Sequence, residues 1–213
     1  HTLAALAQVS RLAATLVVLA PDDQRFETEV PGFVGERGWV ARCGGAQRAQ
    51  TVANGLDALV ARGAAADDWV LVHDAARPCL RHADIDTLLV GIAGHPDGGL
   101  LALPVNDTVK RADHNGCSVE TVPRASLWRA LTPQAFRYAA LKSALEQALA
   151  AGVEVTDGAS AMELAGARPR LVRGHARRPC AGASGDHHRH AAPRHLAGAV
   201  QPCEQWAANA PAR

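Results

Sequence analysis

The stretch Trp69-Val-Leu-Val-His-Asp-Ala-Ala-Arg-Pro78 decides how this chain is to be read. Its first four residues, Trp69 to Val72, are an apolar run bounded by turn formers, which is the pattern of a strand buried in a parallel sheet. The character then changes at once. His73 and Asp74 follow, two alanines come next, and Arg77-Pro78 stops regular pairing. A carboxylate and a guanidinium are thereby expected just past the carboxyl end of a strand, where open α/β sheets place their ligands. The plainer reading of the same residues is a strand-to-loop turn carrying a surface Asp–Arg pair.

Working outward, the segments on either side alternate between helical and strand periodicity. On the amino-terminal side, residues 1–10 show helical spacing through Leu3, Leu6 and Val9. Residues 16–20 read as a buried strand closed by the turn former Pro21-Asp22-Asp23. Residues 38–43 are the next predicted strand. They run into Gly44-Gly45 and a helix over 47–61 with an apolar stripe of Val52, Leu56, Leu59 and Val60. A glycine pair entering a helix offers free N–H groups and a positive dipole end to a polar or anionic ligand. It also suits an ordinary turn that needs glycine dihedrals.

On the carboxyl-terminal side, a short helix is predicted over 83–93 and a buried strand over 98–105. Residues 106–111 and 118–124 then read as two exposed strands of a hairpin turning at Asn115-Gly116. A polar hairpin leaving an α/β core is unstable alone, so it is expected to pack on a second subunit; a flap over its own sheet is the alternative. Residues 127–134 suggest a short strand and turn before a helix over 135–151. Asp157 is placed to cap a helix over 158–164, and 169–172 form a last short strand.

The chain has 213 residues, 48% of them hydrophobic and 20% charged, with a formal net charge of +1. That composition fits a globular protein and gives no electrostatic case for nucleic acid or a membrane surface. No apolar run approaches the roughly 18 residues of a spanning helix, and no secretory leader is visible. The cysteines, Cys43, Cys79, Cys117, Cys180 and Cys203, are odd in number, widely spaced and never paired as C-x-x-C. This argues against a zinc site or a disulfide framework and points to the cytoplasm. Beyond Gly174 the residues are mainly Ala, Gly, Arg, Pro and His without periodicity, so 175–213 is expected to be a disordered or non-native tail. Asp186-His-His-Arg-His190 in that tail lacks the fixed backbone that a dedicated metal site needs.

Several of these pieces together resemble one family, the 2-C-methyl-D-erythritol 4-phosphate cytidylyltransferases of the non-mevalonate isoprenoid pathway. The matching blocks are Gly44-Gly-Ala-Gln-Arg-Ala-Gln-Thr-Val-Ala-Asn-Gly-Leu56, Val70-Leu-Val-His-Asp-Ala-Ala-Arg-Pro78, Pro104-Val-Asn-Asp-Thr-Val-Lys110, Thr121-Val-Pro-Arg124, Leu127-Trp-Arg-Ala-Leu-Thr-Pro-Gln134 and Thr156-Asp157. Six blocks in the right order are far more specific than any one of them.

The resemblance implies an α/β, Rossmann-like nucleotidyltransferase sheet, mostly parallel, over residues 1–174. A projecting β arm over about 106–124 would make the homodimer, and the substrates would be CTP and methylerythritol phosphate. It implies that Gly44, Gly45, Ala46 and Thr51 hold the cytidine, with Arg48 nearby. Asp74 and Ala75 would border the nucleotide, and Asp74 and Arg77 the sugar phosphate. Thr108, Lys110 and Arg124 would come from the arm, some reaching the partner's site, while Thr132, Thr156 and Asp157 complete the sugar-phosphate pocket. Arg77, Lys110 and Arg124 would be the catalytic cations, and magnesium would be carried mainly by the CTP phosphates, with no ligand set of the protein's own.

The chemistry suits those residue types. A phosphate oxygen attacking the α-phosphorus of CTP needs placement and charge neutralisation more than acid–base help. The chain also departs from the family. Nothing here matches its opening strand and its glycine-rich Arg/Lys loop. A Gly158 stands where the family usually has Glu, and the resemblance ends near Gly174. The expectation is therefore a sheet whose first strand is missing between 16–20 and 69–72, followed by a tail read out of frame. Two alternatives stand beside the main one: a ribitol-5-phosphate-type cytidylyltransferase, and an inactive fragment that only binds nucleotide.

Overall fold

Apolar segments of period two and period 3.6 alternate along the chain, and the computed structural model follows them. It describes residues 2–75, 77 and 80–175, and the backbone of 196–203. In order, the elements are α1 (Thr2–Ala7), β1 (Thr15–Leu19), α2 (Phe26–Glu29), β2 (Gly38–Ala41), α3 (Arg48–Val60) and β3 (Trp69–His73). They continue with α4 (His82–Gly91), β4 (Gly99–Pro104), β5 (Val109–Ala112), β6 (Ser118–Val122), β7 (Trp128–Arg137), α5 (Tyr138–Ala150), α6 (Gly158–Leu164), β8 (Arg170–Arg173) and β9 (Leu196–Cys203).

The main sheet has the order β2-β1-β9-β3-β7-β4-β8. β1 is parallel to β2, and β4 to β8, whereas β7 and β9 run antiparallel to their neighbours. Following these pairings across the sheet, β1, β2, β3, β4 and β8 share one direction and β7 and β9 oppose it. Five of the seven strands thus share the direction expected of this α/β fold, but four of the six neighbouring pairs are antiparallel, so the sheet is mixed. β3, read from its apolar run as a strand of a parallel sheet, is antiparallel to both neighbours.

β3 shows why the sheet is covered on both faces. All five of its residues are buried. Val70 and Val72 pack with Leu56 and Leu59 of α3 and with Leu141 and Leu145 of α5. Trp69 and Leu71 pack on the opposite side with Leu6 of α1 and Ile85, Leu88 and Leu89 of α4. Successive side chains of a strand point to opposite faces, so a strand apolar at every position must be sandwiched. The result is three layers.

The structure departs from the sequence reading in three further places. The short strand and turn expected over 127–134 is one ten-residue strand, β7, and the helix starts at Tyr138 rather than at 135. The run from Leu131 to Phe136 is buried throughout. β4 pairs with 128–130 and 134–135 and β3 with 134–137, so pairing before and after Pro133 carries the strand past it, across a register shift in the β4 ladder. The one-turn α2 was not foreseen; Asp23 Oδ1 accepts from the Phe26 N–H at 3.1 Å and starts it.

The third departure is the largest. The position expected to be vacant between β1 and β3 is filled by β9, from the segment expected to be a disordered tail. β9 pairs antiparallel with both neighbours, Leu16 opposite Val200 and Leu71 opposite Gln201. Two facing rows of unpaired backbone groups offer hydrogen bonds to almost any extended segment, so a strand can form without an apolar alternation to announce it. Apart from His175, whose Nδ1 lies 2.8 Å from Asp84 Oδ1, the rest of the tail, including Asp186 to His190, lies outside the described residues.

The arm stands apart from this sheet. β5 and β6 form a separate two-stranded ribbon, and their residues are exposed except for Val109 and Val122, which are half-buried.

Candidate active site

The loops at the carboxyl ends of β2 and β3 meet, and their meeting point assembles the candidate site. After β2 the chain passes Cys43 into Gly44-Gly45, and glycine is required there for space. A Cβ on Gly44 would sit 2.9 Å from the Leu19 carbonyl oxygen, and one on Gly45 would sit 2.3 Å from Gln50 Cγ. The turn is held from α3 on two sides. The Gly45 N–H donates to Thr51 Oγ1 at 3.0 Å, and Asn54 Nδ2 donates to the Cys43 carbonyl at 2.7 Å. Gln50 Nε2 in turn donates to Asn54 Oδ1 at 2.7 Å and so fixes the Asn54 amide. The helix opens on Gln47 without a side-chain cap and with no acidic residue in its first turn, so its positive end is left facing the site.

Arg48, the first residue of α3, reaches across to the end of β3. Its Nη2 and Nε lie 2.8 and 3.1 Å from Asp74 Oδ1. Arg77 approaches the other oxygen, Nε to Oδ2, at 3.3 Å. One carboxylate is thus braced between two guanidiniums, one from each loop. Burial alone would raise the Asp74 pKa; the pull of Arg48, with its hydrogen bonds, and then of Arg77 outweighs burial and holds it below the ordinary carboxylate range. Asp74 is ionised at neutral pH and serves as an acceptor and an anchor, not as a proton donor.

Thr132 joins from β7. Its Oγ1 accepts the Asp74 N–H at 3.3 Å and lies 3.0 Å from His73 Nδ1. Two residues further on, Gln134 is almost wholly buried. Its Nε2 donates to Asp157 Oδ2 at 2.6 Å, and its Oε1 accepts from the Ala159 N–H at 3.0 Å. Asp157 also caps α6, accepting the Ser160 N–H at 2.8 Å. Thr156 lies beside it, its N–H donating to Ser160 Oγ at 3.1 Å.

The structure therefore brings Gly45 and Thr51, and Arg48, Asp74, Arg77 and Thr132, into two bonded groups; Gly44, Ala46 and Ala75 lie in the same two loops, and the first turn of α3 joins the groups into one site. Thr156 and Asp157 are tied to it through β7. It does not bring in the arm residues. Lys110 Nζ donates to Thr121 Oγ1 at 2.6 Å, Arg124 bonds the Asn106 carbonyl, and Thr108 is exposed. Among the described residues, no hydrogen bond or ion pair of this chain links those three to Asp74.

Three residues that hold the site together were passed over in the sequence reading: His73, Gln134 and Asn54. His73 ends a buried run, Gln134 is a polar residue inside one, and Asn54 sits one turn after Gln50. Beyond that placement, the signal they carry is that all three lie inside the blocks that resemble the family. Cys43 is the nearest thiol to the glycine turn. Burial, and secondarily the Asp57 carboxylate, push its pKa up, so it stays protonated and is a poor nucleophile.

A family model described as 2-C-methyl-D-erythritol 4-phosphate cytidylyltransferase matches residues 1–178. The chain is 51% identical over 174 residues to the enzyme of that name from Dechloromonas aromatica, covering 82% of this chain and 74% of the relative. It is 52% identical over 167 residues to the one from Pseudomonas aeruginosa, covering 78% and 70%. Among solved structures, it is similar to a 4-diphosphocytidyl-2C-methyl-D-erythritol synthase with TM-score 0.72 and 39% identity, over 83% of this chain and 80% of that one. The cytidylyltransferase of Thermus thermophilus follows at TM-score 0.66 and 30% identity, over 82% and 77%.

Proposed function

The chain belongs to the 2-C-methyl-D-erythritol 4-phosphate cytidylyltransferase family, and on that footing we propose that it joins CTP and methylerythritol phosphate with release of pyrophosphate, a step of non-mevalonate isoprenoid biosynthesis. The observation that carries the reading is the Arg48–Asp74–Arg77 brace, which couples the glycine turn after β2 to the end of β3. One loop can then hold a nucleotide while the other holds the phosphate that attacks it.

In this reading Gly44, Gly45, Ala46 and Thr51 line the cytidine, with Arg48 beside its phosphates and Asp74 and Ala75 at the border. The methylerythritol phosphate lies against Asp74, Arg77, Thr132, Thr156 and Asp157. Its phosphate oxygen, already ionised at neutral pH, forms a bond to the α-phosphorus of CTP in line. The bond from that phosphorus to the bridging oxygen breaks, and pyrophosphate leaves with the electron pair. No general base is needed, which agrees with an Asp74 held ionised by two arginines. Arg77, with Lys110 and Arg124, offsets the repulsion between the two polyanions.

Lys110 and Arg124 bond within their own arm, so the reading includes a homodimer in which each arm reaches the partner's site together with Thr108. Magnesium fits as an ion carried by the triphosphate, where it would neutralise charge. Both Asp74 oxygens are engaged by guanidiniums, so Asp74 would meet the ion from beyond its direct ligands. The cytoplasm, where CTP is made, is the compartment that goes with this chemistry, and among the described residues no helix is long and apolar enough to cross a membrane.

A pyrophosphate-release assay with CTP, magnesium and either methylerythritol phosphate or ribitol 5-phosphate tests the proposal. Release with the first sugar phosphate, dependent on CTP over ATP, is the expected result. Release only with the second, or CTP binding without any release, would refute it.

A further inference from the structure

His73 is buried, with 2% of its surface exposed, and no step of the proposed reaction uses it. Its ring is nevertheless bonded at both nitrogens to the site. Nε2 lies 3.1 Å from the Arg77 carbonyl oxygen, and Nδ1 lies 3.0 Å from Thr132 Oγ1. A carbonyl oxygen can only accept, so Nε2 carries the hydrogen. In the neutral ring Nδ1 is then an acceptor and takes the Thr132 hydroxyl hydrogen, while a lone pair of that oxygen takes the Asp74 N–H. The Arg77 N–H in turn donates to the Asp74 carbonyl at 2.9 Å.

The bonds form a closed loop, from Asp74 N–H through Thr132 and His73 to the Arg77 carbonyl, and from Arg77 N–H back to Asp74. The loop fixes the two backbone positions from which the Asp74 and Arg77 side chains project. We propose that His73 is a positioning residue: its Nε2–H tautomer locks Asp74 and Arg77 in the arrangement that receives the sugar phosphate. The inference rests on the functional reading above and adds to it a residue that never touches either substrate.

The tests use the full chain and the variants His73→Gln and His73→Phe. A glutamine amide N–H can reach the place of Nε2 and keep the bond to the Arg77 carbonyl, whereas phenylalanine keeps the volume and loses both bonds. Losing a buried hydrogen bond of this kind is worth about tenfold in binding. His73→Phe should therefore raise the KM for methylerythritol phosphate by about that factor and lower kcat as well, because Arg77 also neutralises charge in the reaction, with the KM for CTP changed by less than about twofold. His73→Gln should recover most of the loss.

A merely structural histidine would lower the melting temperature in both variants and leave the KM values alone, and that outcome overturns the proposal. So does a glutamine variant as impaired as the phenylalanine one. Nitrogen NMR of the wild-type ring supplies a readout that needs no variant to fold, and a hydrogen on Nδ1 in place of Nε2 refutes the proposal directly. Calorimetry with methylerythritol phosphate separates the two layers of argument. Wild-type binding that is weakened in His73→Phe, in a chain that releases no pyrophosphate, supports the role of His73 and sinks the catalytic reading. Turnover with unchanged binding in His73→Phe does the reverse.

Discussion

At the scale of single residues, the site is governed by one carboxylate with two cationic partners. Asp74 is favoured as an anion in the folded chain, so its stabilisation is full above the ordinary carboxylate value of about 4 and is lost as pH falls through its lowered folded pKa. Asp74→Asn should therefore cost about 1–2 kcal/mol at neutral pH, between an exposed and a fully buried pair, with the gap from wild type closing in acid. Denaturant melts at a series of pH values would show this, and a gap that persists unchanged in strong acid would refute it. The same variant should lose about tenfold to a hundredfold in kcat/KM, since it removes an anchor for both loops at once. Gly45→Ala acts on the opposite loop. The new methyl would displace Gln50, whose Cγ stands 2.3 Å from its position, and free the Asn54 amide from the turn. The expected outcome is a loss of CTP affinity by calorimetry of at least about tenfold, with methylerythritol phosphate binding less affected. Much of this site could be read from the sequence, because Gly44-Gly45, Arg48, Asp74 and Arg77 sit where strand and helix periodicity break. His73, Gln134 and Asn54 could not, because a buried polar residue shows its partners only after the fold has brought β7 beside β3 and α3 against the glycine turn.

At the scale of elements, the arm is the part with most at stake. Its turn is built locally: Asp113 Oδ1 accepts from the Asn115 and Cys117 N–H groups at 2.9 and 2.8 Å, and Gly116 takes φ +81°. The hairpin could be read from Asn115-Gly116 for that reason, since the information lies within a few residues. Its surface is another matter. Val119 is 58% exposed, and an isolated two-stranded ribbon is marginal in water. If the arm clasps a second copy, Val119→Glu should convert a dimer into a monomer in sedimentation velocity. Activity should fall with it, because Thr108, Lys110 and Arg124 would no longer reach across. A monomeric wild type, or a Val119→Glu dimer with full activity, would contradict the arm's proposed role. β7 teaches the complementary lesson. Its start at Trp128 was foreseen to within a residue, but its continuation through Pro133 to Arg137 depends on neighbours on both sides, which no local pattern encodes.

At the scale of the whole molecule, the sheet is continuous only because β9 completes it. The three-layer arrangement was legible, since doubly apolar strands demand cover on both faces. The filling of the central gap was not, because backbone pairing is nearly blind to side-chain pattern. β9 even includes Pro202 opposite Val70, although proline supplies no N–H to a ladder. Removing it would leave β1 and β3 as two edges facing each other in the interior, in contact with neither water nor a partner strand. Each backbone group left unpaired and dry costs about 1–3 kcal/mol, against a total stability of about 5–15 kcal/mol for an ordinary domain. A chain ending at His175 should thus melt at a markedly lower temperature, and the amides of Val17, Val18, Leu71 and Val72 should exchange with solvent much faster than in the full chain. If instead the melting temperature and the exchange of those four amides are the same in both, the pairing of β9 contributes nothing in solution. The sheet would then have closed its own gap by bringing β1 against β3, a pairing that would appear as new cross-strand contacts between Val17 and Leu71 in the NMR spectrum of the shortened chain.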